Sequence, residues 1–271
     1  MRALGCFIGV VALSICAAGC GQTEVMGDPD SGMMDAELPV PAGATVFAHT
    51  EKALYRMNPD TLAVTLVGNF GGAFTAADSM TDLAVDSTGL MIGISFTQIY
   101  RIDQNTAAAT LIGTATLQQS FNGLSFVPSE LALGQKGPDV LVASRNSDGR
   151  IFQIDLTSGA VSQLGDMGPY MTSGDIVGVH GFGMVATVIG AAPGGDVLVR
   201  LAPGSFAATP IGTGTGLTGL WGVGYWKQKL YGFTSTGAFV ELDMANGTSR
   251  PIRTTAEAWW GAAVTTAAPK R

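Results

Sequence analysis

The sequence predicts an all-β protein: a five-bladed β-propeller of four-stranded antiparallel blades, closed by N- and C-terminal strands that share one blade. Three observations predict it. One short pattern occurs five times, the spacing inside it is constant, and the two chain ends complement each other. The pattern is Leu54-Tyr55-Arg56-Met57-Asn58, Ile99-Tyr100-Arg101-Ile102-Asp103, Ile151-Phe152-Gln153-Ile154-Asp155, Leu198-Val199-Arg200-Leu201-Ala202 and Phe239-Val240-Glu241-Leu242-Asp243. Its centres lie 45, 52, 47 and 41 residues apart, the period of a propeller blade.

Twelve residues after each centre a second element closes, at Gly68, Gly113, Gly165, Gly212 and Arg253. The intervening Pro59-Asp60, Gln104-Asn105, Ser158-Gly159, Pro203-Gly204 and Asn246-Gly247 are turn residues, so each copy holds a hairpin. Two more strands recur. One has a small middle residue: Leu83-Ala84-Val85, Leu124-Ser125-Phe126, Val177-Gly178-Val179, Val223-Gly224-Tyr225 and Ala262-Ala263-Val264. Small residues suit a strand packed near an axis. The other is Ile92-Gly93-Ile94, Val142-Ala143-Ser144, Val185-Ala186-Thr187, Tyr231-Gly232-Phe233 and Phe47-Ala48-His49. Four strands per unit make a blade.

The body begins on a second strand near Thr45 and stops on a first strand between Trp260 and Thr265. Joined, these ends complete one blade and remove the open sheet edge. A linear β-solenoid is the structural alternative. The Leu54–Thr61 and Ile99–Thr106 stretches resemble the "LY-x-I-D-x-x-T-G" repeats of secreted bacterial propellers of YVTN-like and quinoprotein-like kinds. The resemblance covers about 45–266 and implies a fold. It implies no single activity, because such propellers include scaffolds, binding proteins and a few enzymes.

The N-terminus reads as a targeting segment. Met1-Arg2 is a short basic start, and Ala3–Ala18 is apolar and uncharged. Ala17-Ala18-Gly19-Cys20 resembles a bacterial lipobox, although Ala17 stands where Leu is commoner. The resemblance implies cleavage before Cys20 and diacylglycerol on its thiol. An ordinary secretory signal cut nearby is the alternative. The only other cysteines, Cys6 and Cys16, would leave with residues 1–19, so the exported body has no thiol and no disulfide. Residues 20–44 form an acidic tether with Glu24, Asp28, Asp30, Asp35 and Glu37 and no basic residue. The propeller is placed at 45–266 and a short tail at 267–271.

The net charge of −7 and the lack of a basic stripe exclude nucleic acid as a partner. Antiparallel order puts two sets of loops on one face: the inlet loops that lead into the innermost strands, and the loops between second and third strands. The inlet loops fall near 69–80, 114–120, 166–173, 213–218 and 254–257, and ligands are expected there. The rim residues two positions before each inner strand are Thr81, Asn122, Asp175, Trp221 and Trp260, followed by Asp82, Gly123, Ile176, Gly222 and Gly261. Thr81, Asp82, Asn122, Asp175, Trp221 and Trp260 are the candidate ligand-binding residues. Aromatic faces beside carboxylate and amide groups suit a sugar or another flat hydroxylated ligand. The competing structural role is tryptophan wedged between blades.

No catalytic residue, metal ligand set or cofactor is assigned. Asp82, Asn122 and Asp175 supply too few oxygens for a calcium site. His49 falls in a strand column, and His180 is expected to be a solvated residue at a strand end. Arg56, Arg101 and Arg200 are expected to face out and pair locally. The function these features suggest is a ligand-binding or protein-interaction module of the cell envelope. It would be an exported lipoprotein held to the outer membrane through lipid on Cys20, acting as a monomer on a protein or glycan ligand. The alternative is a carbohydrate-active or metal-dependent propeller hydrolase or lactonase working at the channel mouth.

Overall fold

The computed structural model describes residues 37–113, 117, 119–145, 147–190 and 193–271, and Glu37–Arg271 form one compact unit. The signal segment, Cys20 and the tether as far as residue 36 lie outside the described residues. Strands run in chain order as β1 (Val46–His49), β2 (Ala53–Met57), β3 (Val64–Asn69), β4 (Gly71–Gly72), β5 (Met80–Val85), β6 (Met91–Ser95), β7 (Ile99–Ile102) and β8 (Ala108–Leu111). They continue as β9 (Phe121–Val127), β10 (Val140–Arg145), β11 (Arg150–Ile154), β12 (Val161–Asp166), β13 (Thr172–Val179), β14 (Gly183–Val188), β15 (Val197–Leu201) and β16 (Ala208–Pro210). The last are β17 (Leu220–Trp226), β18 (Lys229–Thr234), β19 (Ala238–Leu242), β20 (Ser249–Thr254) and β21 (Gly261–Ala263). A single helical turn, α1, spans Ser129–Ala132.

The sheets are five antiparallel blades, as the repeat predicts. Blades I to IV start at β5, β9, β13 and β17, and each runs in chain order from its inner to its outer strand. Blade V has the order β21-β1-β2-β3, so the C-terminal strand pairs with the N-terminal one through Phe47↔Ala263 and His49↔Gly261. Inner strands β5, β13 and β21 are buried along their whole length, while outer strands β3, β12 and β20 are partly or fully exposed at every position. A strand covered on both faces by neighbouring blades has no side for solvent, which accounts for unbroken runs such as Leu83-Ala84-Val85.

The hairpin turns work as the Asn/Asp positions predict. Asn58 Oδ1 accepts the Asp60 and Thr61 N–H groups, Asp103 Oδ1 those of Asn105 and Thr106, and Asp155 Oδ1 those of Thr157 and Ser158. The closing residue of each turn is left-handed: Leu62, Ala107, Gly159, Phe206 and Gly247 all have φ between 58° and 73°. This is the position of the glycine in the repeat motif, and three blades fill it with a side chain. Blade I carries a fifth strand. Gly71-Gly72 of β4 lies parallel to Ala108-Ala109 and covers its outer edge. Gly72 has φ +70°, and a Cβ there would collide with the Ala109 carbonyl.

Blade III corrects the sequence alignment by one residue. Ile176 pairs with Ala186, after an irregularity between Thr172 and Ile176. Ala186 matches Gly93 of blade I, which pairs with Leu83. The inner triplet of blade III is therefore Ile176-Val177-Gly178, and Asp175 belongs in the layer of Asp82, not in the rim layer. A bulge leaves the hydrophobic pattern on either side unchanged, so the pattern alone does not reveal it.

Two further expectations change. Arg56 does not pair locally but crosses from blade V to blade I, where its Nη2 donates to Gln104 O (2.9 Å) and Asn105 Oδ1 (2.7 Å). His180 is not simply solvated. Its ring lies between Glu130 Oε1 (2.8 Å from Nδ1) and Asp139 Oδ1 (3.1 Å from Nε2).

The C-terminal residues run across the face opposite the inlet loops and are buried there from Thr265 to Ala268. Thr265 bridges to Val85 and donates to Asp86 O, while Thr266 Oγ1 donates to Asp139 Oδ2 (2.6 Å). The His180 N–H donates to Thr266 O, and the Lys227 N–H to Pro269 O. This strap leaves blade V and contacts blades I, II, III and IV in turn. Removing its hydroxyl tie exposes the account to test. Thr266→Val deprives buried Asp139 of a donor, a loss of about 1–2 kcal/mol, which corresponds to a melting temperature lower by roughly 2–8 °C. Calorimetry of the variant reads this directly, and an unchanged melting temperature would show that the strap does not bear on stability.

Candidate functional site

The inner strands are sheet edges, so their N–H groups point at the axis with no further strand to receive them. A buried amide without an acceptor is costly. Two carboxylates fill that need. Asp82 accepts the N–H of Leu83 (2.7 Å) through Oδ1 and that of Leu124 in blade II through Oδ2. Asp175 Oδ2 accepts from Val223 in blade IV and from Ala262 in blade V, both at 2.8 Å. Leu83, Leu124, Val223 and Ala262 occupy one layer, so two side chains tie the inner edges of four blades.

The other positions of the carboxylate layer are Gly123, Gly222 and Gly261. A Cβ on Gly261 would run into Asp82 Oδ1 and His49 Nε2, and one on Gly222 would meet the backbone of Gly261. Glycine is required here by close approach rather than by backbone conformation. His49 lies opposite Gly261 in β1, with Nε2 3.5 Å from Asp82 Oδ1. Asp82, Asp175 and His49 are all 0% exposed.

Burial sets the electrostatics. Burial, and then the neighbouring Asp175 charge, hold the Asp82 carboxyl well above the usual carboxylate range. Burial also raises Asp175, to about 7, against the opposing hydrogen bonds from Asp82, Val223 and Ala262. The hydrogen bond between the two carboxyls lowers Asp175 and raises Asp82, so Asp175 ionises first and Asp82 keeps the proton between them. That proton also gives a partner to Asp175 Oδ1, which is otherwise buried without one. Burial lowers His49 to about 4. Its Nδ1 lies 3.0 Å from the Thr50 carbonyl, which can only accept, so Nδ1 carries the hydrogen and Nε2 bears the lone pair.

The predicted site residues therefore divide. Asp82 and Asp175 come together, although the alignment had put them in different layers. Thr81 is buried and donates to Ile94 O (3.1 Å), a strand tie. Asn122, Trp221 and Trp260 are half-buried at the rim. Trp221 and Trp260 meet edge to face with ring centroids 6.0 Å apart, while Trp226 and Trp259 belong to the core. Asn122 Oδ1 is shielded from water and has no partner. Cys20 lies outside the described residues. Sequence reasoning missed His49 as a member of the axial cluster. The available signal was Gly261 opposite it, the only glycine facing a histidine in that column.

Chemically, the acid pair is a structural tie with a shared proton. Glycosidase carboxyls stand about 5 Å or more apart with substrate between them, whereas Asp82 and Asp175 are in hydrogen-bond contact and sealed from solvent. Among the described residues, no three His, Cys, Asp or Glu side chains are arranged to hold a metal ion, and no helix is long and apolar enough to cross a membrane.

This geometry defines the class: a five-bladed β-propeller with an axial carboxylate layer. No family model matches the chain, and no curated protein matches it in sequence. Solved structures match in shape. One is a nidogen/laminin complex, at 14% identity and TM-score 0.51, covering 83% of this chain and 98% of the other. A Bacteroides caccae protein of unknown function has 10% identity and TM-score 0.42, covering 78% and 72%. BamB from Moraxella catarrhalis has 17% identity and TM-score 0.36, covering 82% and 61%. At these identities the first match shows the fold alone.

The shared proton fixes the sign of a pH effect. A carboxyl raised by folding contributes stability that is fully present below its ordinary value of 3.8 and is lost as pH rises through about 7. His49, lowered from 6.5 to about 4, contributes stability that grows as pH rises between those values, offsetting the acid pair there. Above pH 6.5 only the pair contributes. The urea midpoint of the native protein is expected to fall between pH 6.5 and pH 9. Asp175→Asn keeps an oxygen for Val223 and Ala262 and a donor for Asp82, so its midpoint falls less over that interval. Identical falls in both proteins would show that the pair does not hold the proton.

Proposed function

We propose that this propeller is a ligand-binding or protein-interaction module of the cell envelope, anchored through lipid on Cys20 and working through its inlet-loop face. The observation that carries this reading is the placement of exposed apolar side chains. Phe96 and Ile189, in the loops between second and third strands, are 46% and 51% exposed, and Met171, in an inlet loop, is 44% exposed. All three lie on the face that holds the half-buried Trp221 and Trp260. The Ile189 N–H donates to Met171 O, so two of the three adjoin. Adjoining exposed apolar side chains beside half-buried indoles suit a partner that covers them. On the opposite face the strap fills the centre, and Leu38, Val40 and Leu133 are exposed there. The likeness to a propeller found in a nidogen/laminin complex supports an interaction role.

The outer-membrane address rests on the N-terminal sequence. With lipid on Cys20, the acidic stretch of about two dozen residues that follows would link the propeller to the bilayer. Cys20→Ser is expected to abolish labelling by an alkyne fatty acid and to move the protein from membrane to supernatant. Retention in the membrane fraction would remove the lipid anchor from the account. The face is tested separately with a photo-crosslinking amino acid in living cells. At Ile189 it should give a discrete adduct, and at Thr157 on the opposite face none. Equal adducts at both positions, or none at Ile189, would contradict the assignment.

A further inference from the structure

The rim and the layer beneath it hold buried acceptors without donors. Asn122 Oδ1 and His49 Nε2 are shielded from water and have no hydrogen-bond partner, and Asp175 Oδ1 has only the proton shared with Asp82. The donors nearby are already committed. Thr81 Oγ1 donates to Ile94 O, His49 Nδ1 to Thr50 O, and the inner-edge N–H groups to the two aspartates. No lysine or arginine occupies the rim or the carboxylate layer, so the charge left on the acid pair has no counter-ion there. Above it stand two half-buried indoles, whose faces are negative in their quadrupole.

We propose that the channel rim binds a ligand through a protonated amine, an organic ammonium ion seated against Trp221 and Trp260, with Asn122 Oδ1 as its acceptor. The proposal rests on the inlet-face binding reading and names the chemistry that reading lacks. An anion would meet the uncompensated acid pair. A neutral hydroxylated ligand would bring as many acceptors as donors to a place that offers acceptors. A bare metal ion would find too few ligands. An ammonium ion brings several donors and a positive charge, and aromatic faces tolerate its bulk. Asp82 and Asp175 act on it through their field and not by contact, since both are fully buried.

A cation above the pair favours the ionised form of Asp175, so binding releases the Asp175 proton and strengthens as pH rises through about 7. The groups that face the pair are His49 of β1 and backbone N–H groups of β5, β9, β17 and β21; His49 is the only titratable one among them.

The test uses two small probes on the unaltered protein: Nα-acetyl-lysine methylamide, which carries one ammonium, and the same compound acetylated at Nε, which is neutral. Indole N–H signals of Trp221 and Trp260, assigned with Trp221→Phe and Trp260→Phe, are followed by NMR. The ammonium probe should shift both signals saturably, bind at least about tenfold more tightly than the neutral probe, and bind more tightly at pH 8 than at pH 6. Asp175→Asn, its fold checked by its amide spectrum, should weaken binding and flatten the pH dependence. Equal binding of the two probes would overturn the ammonium proposal and leave the inlet face as a binding surface. No saturation by the ammonium probe would overturn it too, while the face itself stands or falls on the crosslinking result.

Discussion

A closed ring of blades has an unavoidable problem at its axis. Every blade ends in a strand whose inner edge has no partner, and those amides are too deep for bulk water. Here two aspartates resolve it. Asp82 and Asp175 accept the N–H groups of Leu83, Leu124, Val223 and Ala262, in blades I, II, IV and V. The glycines of the same layer are set by close approach: Gly261 leaves room for the Asp82 carboxyl and the His49 imidazole, while Gly123 and Gly222 lie against the backbone of Gly174 and Gly261 in the next blade. The shared proton follows from the same geometry: two carboxyls this close and this dry do not both ionise.

The two ends of the axis are consequently different. Beneath the carboxylate layer the C-terminal strap crosses from blade to blade and holds its own polar cluster, in which Thr266, Ser87 and His180 converge on Asp139. Above the layer the inlet loops leave Trp221, Trp260 and Asn122 half-open. The inlet face thus has a rim with aromatic surface, backed by a carboxylate layer that solvent does not reach. Function, on this account, belongs to the residues that do not recur between blades, because the recurring ones are occupied with turns and strand pairing.

Most of the architecture was legible in the sequence. The twelve-residue offset gave the hairpins, the Asn/Asp residues gave their turns, and the complementary ends gave blade V, because each of these depends on local pattern. The axial layer was legible only in part. Asp82 was placed correctly by its distance from Leu83-Ala84-Val85, but the irregularity at 172–176 moved Asp175 by one position, and nothing in the apolar pattern marks a bulge. His49 was hidden for another reason: its column holds Ile94, Ser144, Thr187 and Phe233, so its polarity resembled ordinary strand variation. Arg56 and His180 were misjudged because their partners, Gln104 and Asn105 in one case and Glu130 and Asp139 in the other, are supplied by other blades. Contacts between blades are not encoded in the spacing within one.

The central claim is that the axial aspartates hold one proton between them while tying the ring. The most direct measurement is a carbon-13 NMR titration of the protein labelled at aspartate side-chain carboxyls, with Asp82→Asn and Asp175→Asn used for assignment. The account predicts that exposed aspartates such as Asp103 and Asp155 ionise at or below the ordinary range of about 4. The two signals lost in the variants should titrate together and keep a proton at pH 6. If both axial carboxyls are fully ionised by pH 5, no proton is shared and the account of the axis is wrong.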